Sequence, residues 1–206
     1  MRATLGRLAG AAALGYLAGM LPSADLAARA ATGGTVDLRT VGSGNPGATN
    51  ASAVLGKRWG YGVLAADVVK AAVACGAGRA FAGAAGGNVA GTAAVIGHCY
   101  PAWNGFRGGK GVACAGGQFL MTFPPCFPLD MALGALSLAG PRAQRAPNFV
   151  RLAAAGAVVG SLVWWRTGWS NWWAPRPTAA LPLSAVVSSA VVVSRFRDSG
   201  SQPAER

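Results

Sequence analysis

The sequence predicts an all-α integral membrane protein: a compact bundle of about seven transmembrane helices, two of them short, in one domain over residues 1–206. Three observations predict it. Apolar residues make up 52% of the chain and charged residues only 12%, against about 25% charged in ordinary soluble domains. Long apolar runs are punctuated by arginine, with lysine only at Lys57, Lys70 and Lys110. At roughly 20 residues per span, 206 residues hold several spans and short loops, with little left for a soluble domain. The formal charge of +12 does not suggest nucleic acid as a partner, because the basic residues interrupt apolar runs instead of covering a polar face.

The elements follow in order. Leu5 to Leu21 is a Gly/Ala-rich run; a basic start and apolar core also suit a signal peptide, but Tyr16 and Gly19 interrupt the core and no clear A-x-A site follows it before Pro22, so an uncleaved span is expected. Ser23 to Arg58 reads as a polar, basic loop. Further apolar runs cover Tyr61–Ala77 and Val89–Trp103, and Gly105–Gly111 forms a glycine-rich basic turn. Val112–Leu138 is broken by Pro124, Pro125 and Pro128, which do not continue a helix. Two short helices turning at Pro124–Asp130 are therefore expected. Phe149–Trp165 and Ala179–Val193 complete the set, separated by a turn carrying Trp169, Trp172 and Trp173. Tryptophans at 164–173 suit an interfacial belt.

Basic residues orient the bundle. With the N-terminus outside, Arg29, Arg39, Lys57, Arg58, Arg107, Lys110, Arg142, Arg145, Arg151, Arg195, Arg197 and Arg206 collect on the inner side. A cytoplasmic membrane, with the polar loops facing the cytoplasm, is the expected location. Cys75, Cys99, Cys114 and Cys126 show no paired spacing and read as free thiols.

Two segments carry the chemistry. Ser43-Gly44-Asn45-Pro46-Gly47-Ala48-Thr49-Asn50 is small, polar and turn-forming. Its glycines allow successive N–H groups to face one point, and Ser43, Asn45, Thr49 and Asn50 add neutral donors. A phosphate cradle and a plain polar turn both fit. Gly97-His98-Cys99-Tyr100-Pro101 is followed by Gly105-Phe106-Arg107-Gly108-Gly109-Lys110-Gly111. Two cations among four glycines, at a helix entry, suit an anion; positive-inside charge explains the cations but not the glycines. The glycine spacing is not that of a P-loop. His98 is the only histidine and a candidate base. Asp67 and Lys70 share a helical face, as functional residues or as a mutually neutralising pair.

These segments occur in a familiar order: Gly15 to Ala24, Asp37-Leu38-Arg39, residues 43–50, Leu55-Gly56-Lys57, Asp67 to Lys70, and 97–113. In them the chain resembles the bacterial integral-membrane glycerol-3-phosphate acyltransferases of the PlsY type, specifically from about residue 15 to 115. The resemblance implies transfer of an acyl group from acyl phosphate to the 1-hydroxyl of glycerol 3-phosphate, giving lysophosphatidic acid. No cofactor or metal is expected. It implies Ser43 and Asn45 as active-site residues, Gly44, Gly47, Thr49 and Asn50 in the same loop, Arg107 and Lys110 as phosphate-facing cations, and Gly108, Gly109 and Gly111 as a backbone cradle. Two positions depart from the family pattern. Ala53 stands where arginine is usual, and Ser194-Arg195-Phe196-Arg197-Asp198 replaces a closing motif with His and Asn, leaving Arg195 as its stand-in. A non-catalytic lipid-binding relative and a small transporter of phosphorylated solutes are the competing readings.

Overall fold

The computed structural model describes residues 2–137 and 142–200; Arg206 lies outside them. It is helical throughout this range: α1 (Arg2–Gly19), α2 (Ser23–Thr32), α3 (Ala48–Leu55), α4 (Lys57–Cys99), a 3₁₀ turn (Ala102–Asn104), α5 (Val112–Thr122), α6 (Cys126–Ser137), α7 (Arg142–Thr167) and α8 (Ala180–Gly200). Helix α4 is two antiparallel limbs, 57–81 and 84–99. The chain reverses at Ala82 (φ −138°) and Gly83, whose φ of +68° suits a residue without Cβ. With the limbs counted separately, seven apolar segments form the bundle: α1, both limbs of α4, α5, α6, α7 and α8. Segments α5 and α6, with 11 and 12 residues, reach only about 16–18 Å each. They are the two short members, joined at Pro124-Pro125; the break expected over Pro124–Asp130 is narrower, because Pro128 lies in the first turn of α6, where its missing N–H is not needed.

The expected loop at Ser23–Arg58 is corrected. Two helices occupy it, α2 and α3, packed with the first limb around Ala24, Ala27, Ala28, Leu38, Ala51 and Val63. Small polar residues masked them, because their buried faces are alanine rather than bulky apolar residues.

Among the described residues, four stretches are long and apolar enough to cross a membrane: Thr4–Thr32, Lys57–Asn104, Arg145–Thr167 and Ala180–Arg197. Outward faces carry Leu5, Leu14, Leu17, Val69, Val73, Phe81, Val159, Leu162 and Leu183, all exposed. An apolar exterior of this kind suits lipid, not water. Inside, small residues bring backbones together. A Cβ on Gly15 or Gly19 would overlap the backbone of Ala90 or Ala94, so α1 lies parallel to and directly against the second limb. Polar side chains cross-link the interior: Ser188 Oγ donates to Gln118 Oε1 at 2.7 Å, and Ser184 Oγ to Asn88 Oδ1 at 2.9 Å.

The bundle has two distinct ends. At one, the Trp-rich turn closes over α5: Trp173 Nε1 donates to Leu120 O at 2.8 Å and Asn171 Nδ2 to Thr122 O at 3.0 Å. At the other, both polar loops and the C-terminal part of α8 meet. Tyr16 Oη there donates to Tyr100 O at 2.7 Å, and Trp103 Nε1 to Met20 O at 2.9 Å.

Candidate active site

The first loop is shaped by Asn50, at the third position of α3 and only 3% exposed. Its Nδ2 donates to Leu38 O (2.9 Å) and Val41 O (3.0 Å), and its Oδ1 accepts from Ser43 N (2.9 Å). A buried amide so occupied organises the loop and has no donor left for a ligand. Asn50, expected among the ligand-binding donors, is therefore a loop-shaping residue. Gly47 N donates to Asn45 O at 2.9 Å. Ser43, Gly44 and Thr49 are exposed, while Asn45 is half-buried and Pro46 buried.

The second loop is built on backbone. Gly108 N donates to Cys99 O and Gly109 N to His98 O, both at 3.1 Å. These amides are already spent, which corrects the expected phosphate cradle at 108–109. The glycines serve close packing instead. A Cβ on Gly108 would overlap His98 O, and one on Gly109 would overlap His98 Nε2. Gly111, at φ +84°, caps the start of α5, where a Cβ would stand 2.7 Å from Cys99 Sγ.

Arg39 ties the loops together. Its guanidinium binds both carboxylate oxygens of Asp25 on α2, while Nε donates to Arg107 O at 3.3 Å. The hydrogen bonds to Asp25 hold Arg39 above its ordinary range despite partial burial. Arg107 is itself exposed, and its guanidinium has no hydrogen bond or ion pair with the described residues.

Two cations face one another where the second loop meets α8. Arg195 donates from Nε to Gly109 O (3.2 Å) and from Nη2 to Gly108 O (2.7 Å), and lies over the Tyr100 ring. Lys110 Nζ sits 4.6 Å from the centre of the Phe196 ring. Burial first, and the Arg195 charge second, hold the Lys110 ammonium below the usual lysine range. An anion placed here would relieve both effects.

Behind the loops lies a buried polar cluster. Lys70 Nζ is 2.7 Å from Asp67 Oδ1, 3.0 Å from His98 Nδ1 and 2.9 Å from Leu21 O. The Asp67–Lys70 contact is an ion pair by distance, at an angle outside the hydrogen-bond range. Asp67 and Lys70 were legible as a pair on one face. Their link to His98 was not, because it depends on the α4 bend, from which Lys70 and His98 are nearly equidistant. Asp67, His98 and Cys114 place their ligand atoms within 4.8 Å, but the Lys70 ammonium already occupies the position a metal would take.

Two concavities flank this framework. A cleft of about 30 Å³ is lined by Ser23, Asp25, Arg39, Pro46, Lys70, His98, Trp103, Gly108 and Gly109. Pro46 and Gly109 bring the two loops together there. A cavity of about 560 Å³, almost wholly apolar, runs from Val112 along α5 past Phe119, Phe149, Val150 and Val192 to Phe127 and Asp130. No single run of the sequence marks this groove, since its lining is shared among five elements.

Comparison with known proteins gives one consistent set of relatives. A family model described as glycerol-3-phosphate acyltransferase matches residues 9–202. The glycerol-3-phosphate acyltransferase of Maricaulis maris is 40% identical over 157 residues, 76% of this chain and 70% of that one. That of Pseudomonas paraeruginosa is 37% identical over 187 residues, 90% of each chain. The crystal structure of PlsY (YgiH), an integral membrane glycerol 3-phosphate acyltransferase, is similar in its glycerol 3-phosphate form, with a TM-score of 0.68 and 28% identity over 92% of this chain and 89% of that one. Its lysophosphatidic acid form gives 0.70 and 25%, over 93% and 88%.

Proposed function

Because this chain belongs to the glycerol-3-phosphate acyltransferase family, we propose that it moves a fatty acyl group from acyl phosphate to the 1-hydroxyl of glycerol 3-phosphate, releasing lysophosphatidic acid and inorganic phosphate. The hydroxyl oxygen forms the new ester bond to the acyl carbon, and the bond from that carbon to the phosphate oxygen breaks. The hydroxyl proton leaves to a bound phosphate or to His98. Phosphate is a good leaving group, so no covalent acyl-enzyme is needed. The protein positions both partners and offsets negative charge.

The observation that carries this reading is adjacency. The paired cations Lys110 and Arg195 stand where the second loop enters α5, and the apolar cavity begins at Val112, two residues on. A phosphate at Lys110 and an acyl chain along α5 fit that arrangement together. Ser43 and Asn45, with Arg107, are proposed to hold and orient the polar substrate from the exposed side of the loops. The positive-inside pattern supports a cytoplasmic membrane with these loops on the cytoplasmic side.

The test is transfer by purified protein in detergent, using palmitoyl phosphate with labelled glycerol 3-phosphate. Labelled lysophosphatidate is expected, lost in Lys110→Met and strongly reduced in Ser43→Ala. Palmitoyl coenzyme A in place of the acyl phosphate is expected to give none. Absence of product with either donor would favour a non-catalytic lipid-binding relative.

A further inference from the structure

Asp67, Lys70 and His98 form a closed set in the interior. Their side chains are 3%, 5% and 8% exposed. An ammonium group has three protons and accepts nothing. Lys70 Nζ has three hydrogen-bond partners: Leu21 O at 2.9 Å, His98 Nδ1 at 3.0 Å and Ser23 Oγ at 3.5 Å. Asp67 Oδ1, 2.7 Å away, is its ion-pair partner, outside hydrogen-bond angles. Three protons meet three acceptors only if His98 Nδ1 carries no proton.

The opposite arrangement fails on geometry. A protonated Nδ1 would have to donate to Asp67 Oδ1, which is 3.5 Å away and receives no hydrogen bond as placed, while facing the Lys70 ammonium, a second donor, at 3.0 Å. Two donors opposed in a buried site are costly. The other charged and titratable groups nearby do not alter the choice. Cys114 of α5 gives its thiol proton to the backbone oxygen of Asp67 at 3.3 Å. Across the cleft, Asp25 and Arg39 are paired with each other. The Nε2 edge of His98 lies against Gly109, close to Pro46 of the first loop.

We propose that Lys70 is a positioning residue for the acyl transfer: by donating to His98 Nδ1 it confines the imidazole proton to Nε2. His98 then serves as a hydrogen-bond donor at the wall shared by the two loops, and not as the base. The ring also supports Gly109, so the same contact fixes the backbone preceding Lys110. The kinetic part of this inference rests on the proposed acyl transfer; the location of the proton does not.

His98 is the only histidine in the chain, so a ¹⁵N-histidine label reports it alone. In the full-length protein in detergent, long-range ¹⁵N–¹H correlations are expected to show a protonated Nε2 and a bare Nδ1. A proton on Nδ1 overturns the proposal. Lys70→Met is expected to release the ring, so that a form protonated at Nδ1 appears. Its transfer rate is expected to fall about 10- to 100-fold. Lys70→Arg keeps a donor and is expected to retain the wild-type tautomer. An Arg variant that behaves like Met, or a Met variant whose tautomer is unchanged, sinks the positioning role. Should Lys70→Met not fold, the wild-type spectrum and the Arg variant decide. If wild-type protein transfers no acyl group, the proposed function fails while the proton's location is still read.

Discussion

Residues 38–50 are shaped from within by one side chain, Asn50, whereas residues 97–111 close on themselves through backbone packed too tightly for a Cβ, with Arg195 and Arg39 gripping their carbonyls from outside. In the first loop, Asn50 reaches back to Leu38, Val41 and Ser43 with all its hydrogen-bonding atoms. In the second, Gly108 and Gly109 bond directly to Cys99 and His98, at a separation that excludes a Cβ. Both loops are rich in glycine and small polar residues, so composition makes them look alike. Their sensitivities differ. The first fails when a polar group is removed, the second when a methyl group is added.

Four substitutions sharpen that contrast. Gly108→Ala is expected to act most severely, because the new methyl meets the backbone oxygen of His98, which cannot move aside; transfer activity falls by about 100-fold or more. Recovery of near wild-type turnover would mean the second loop has slack that the geometry denies. Asn50→Ala comes next. It strands the Ser43 N–H and the Leu38 and Val41 carbonyls and costs about 1–3 kcal/mol, read as a lowered melting temperature in detergent. Retention of wild-type stability would show the first loop to be self-supporting.

Arg195→Gln has a smaller effect, on pH dependence. Lys110 must carry its proton to hold phosphate, and burial together with Arg195 lowers its pKa. Wild-type protein therefore loses glycerol phosphate affinity at a lower pH than an ordinary lysine would dictate. Removing the Arg195 charge lets the Lys110 pKa rise, so the alkaline increase in KM moves to higher pH. A shift in the other direction contradicts the coupling. The mildest change is Ala53→Arg, which restores a cation on the exposed side of α3. It is expected to lower KM for glycerol 3-phosphate about fivefold, equivalent to about 1 kcal/mol from one charge-assisted contact. An unchanged KM would place residue 53 outside the substrate's reach.

Much of the architecture was legible because membrane spans are written as uninterrupted apolar runs and their breaks as prolines. Pro124 and Pro125 marked the turn between α5 and α6. Helices α2 and α3 escaped notice because alanine, serine and threonine serve equally in loops and in close helix packing. The reversal within α4 was bracketed by the gap between the runs Tyr61–Ala77 and Val89–Trp103, but its place was hidden: a single glycine at 83 stands among several others that stay helical. The site was half legible. Both loops stood out as glycine-rich polar islands, and their encounter at Pro46 and Gly109 agrees with that reading. The division of labour within them did not, since sequence cannot say whether an amide N–H faces a ligand or a carbonyl. Asn50, Gly108 and Gly109 each turned out to bind protein. Lys70 could be paired with Asp67 from spacing alone, but its contact with His98 required the hairpin.

The contact of Gly15 and Gly19 with Ala90 and Ala94 makes α1 more than a tether. The carbonyls of Met20 and Leu21, just past its end, receive the Trp103 indole and the Lys70 ammonium. Prying α1 away with one bulky residue at position 15 would therefore unhook two fastenings about one and a half turns downstream. Damage done deep in lipid would surface as a fault at the water's edge.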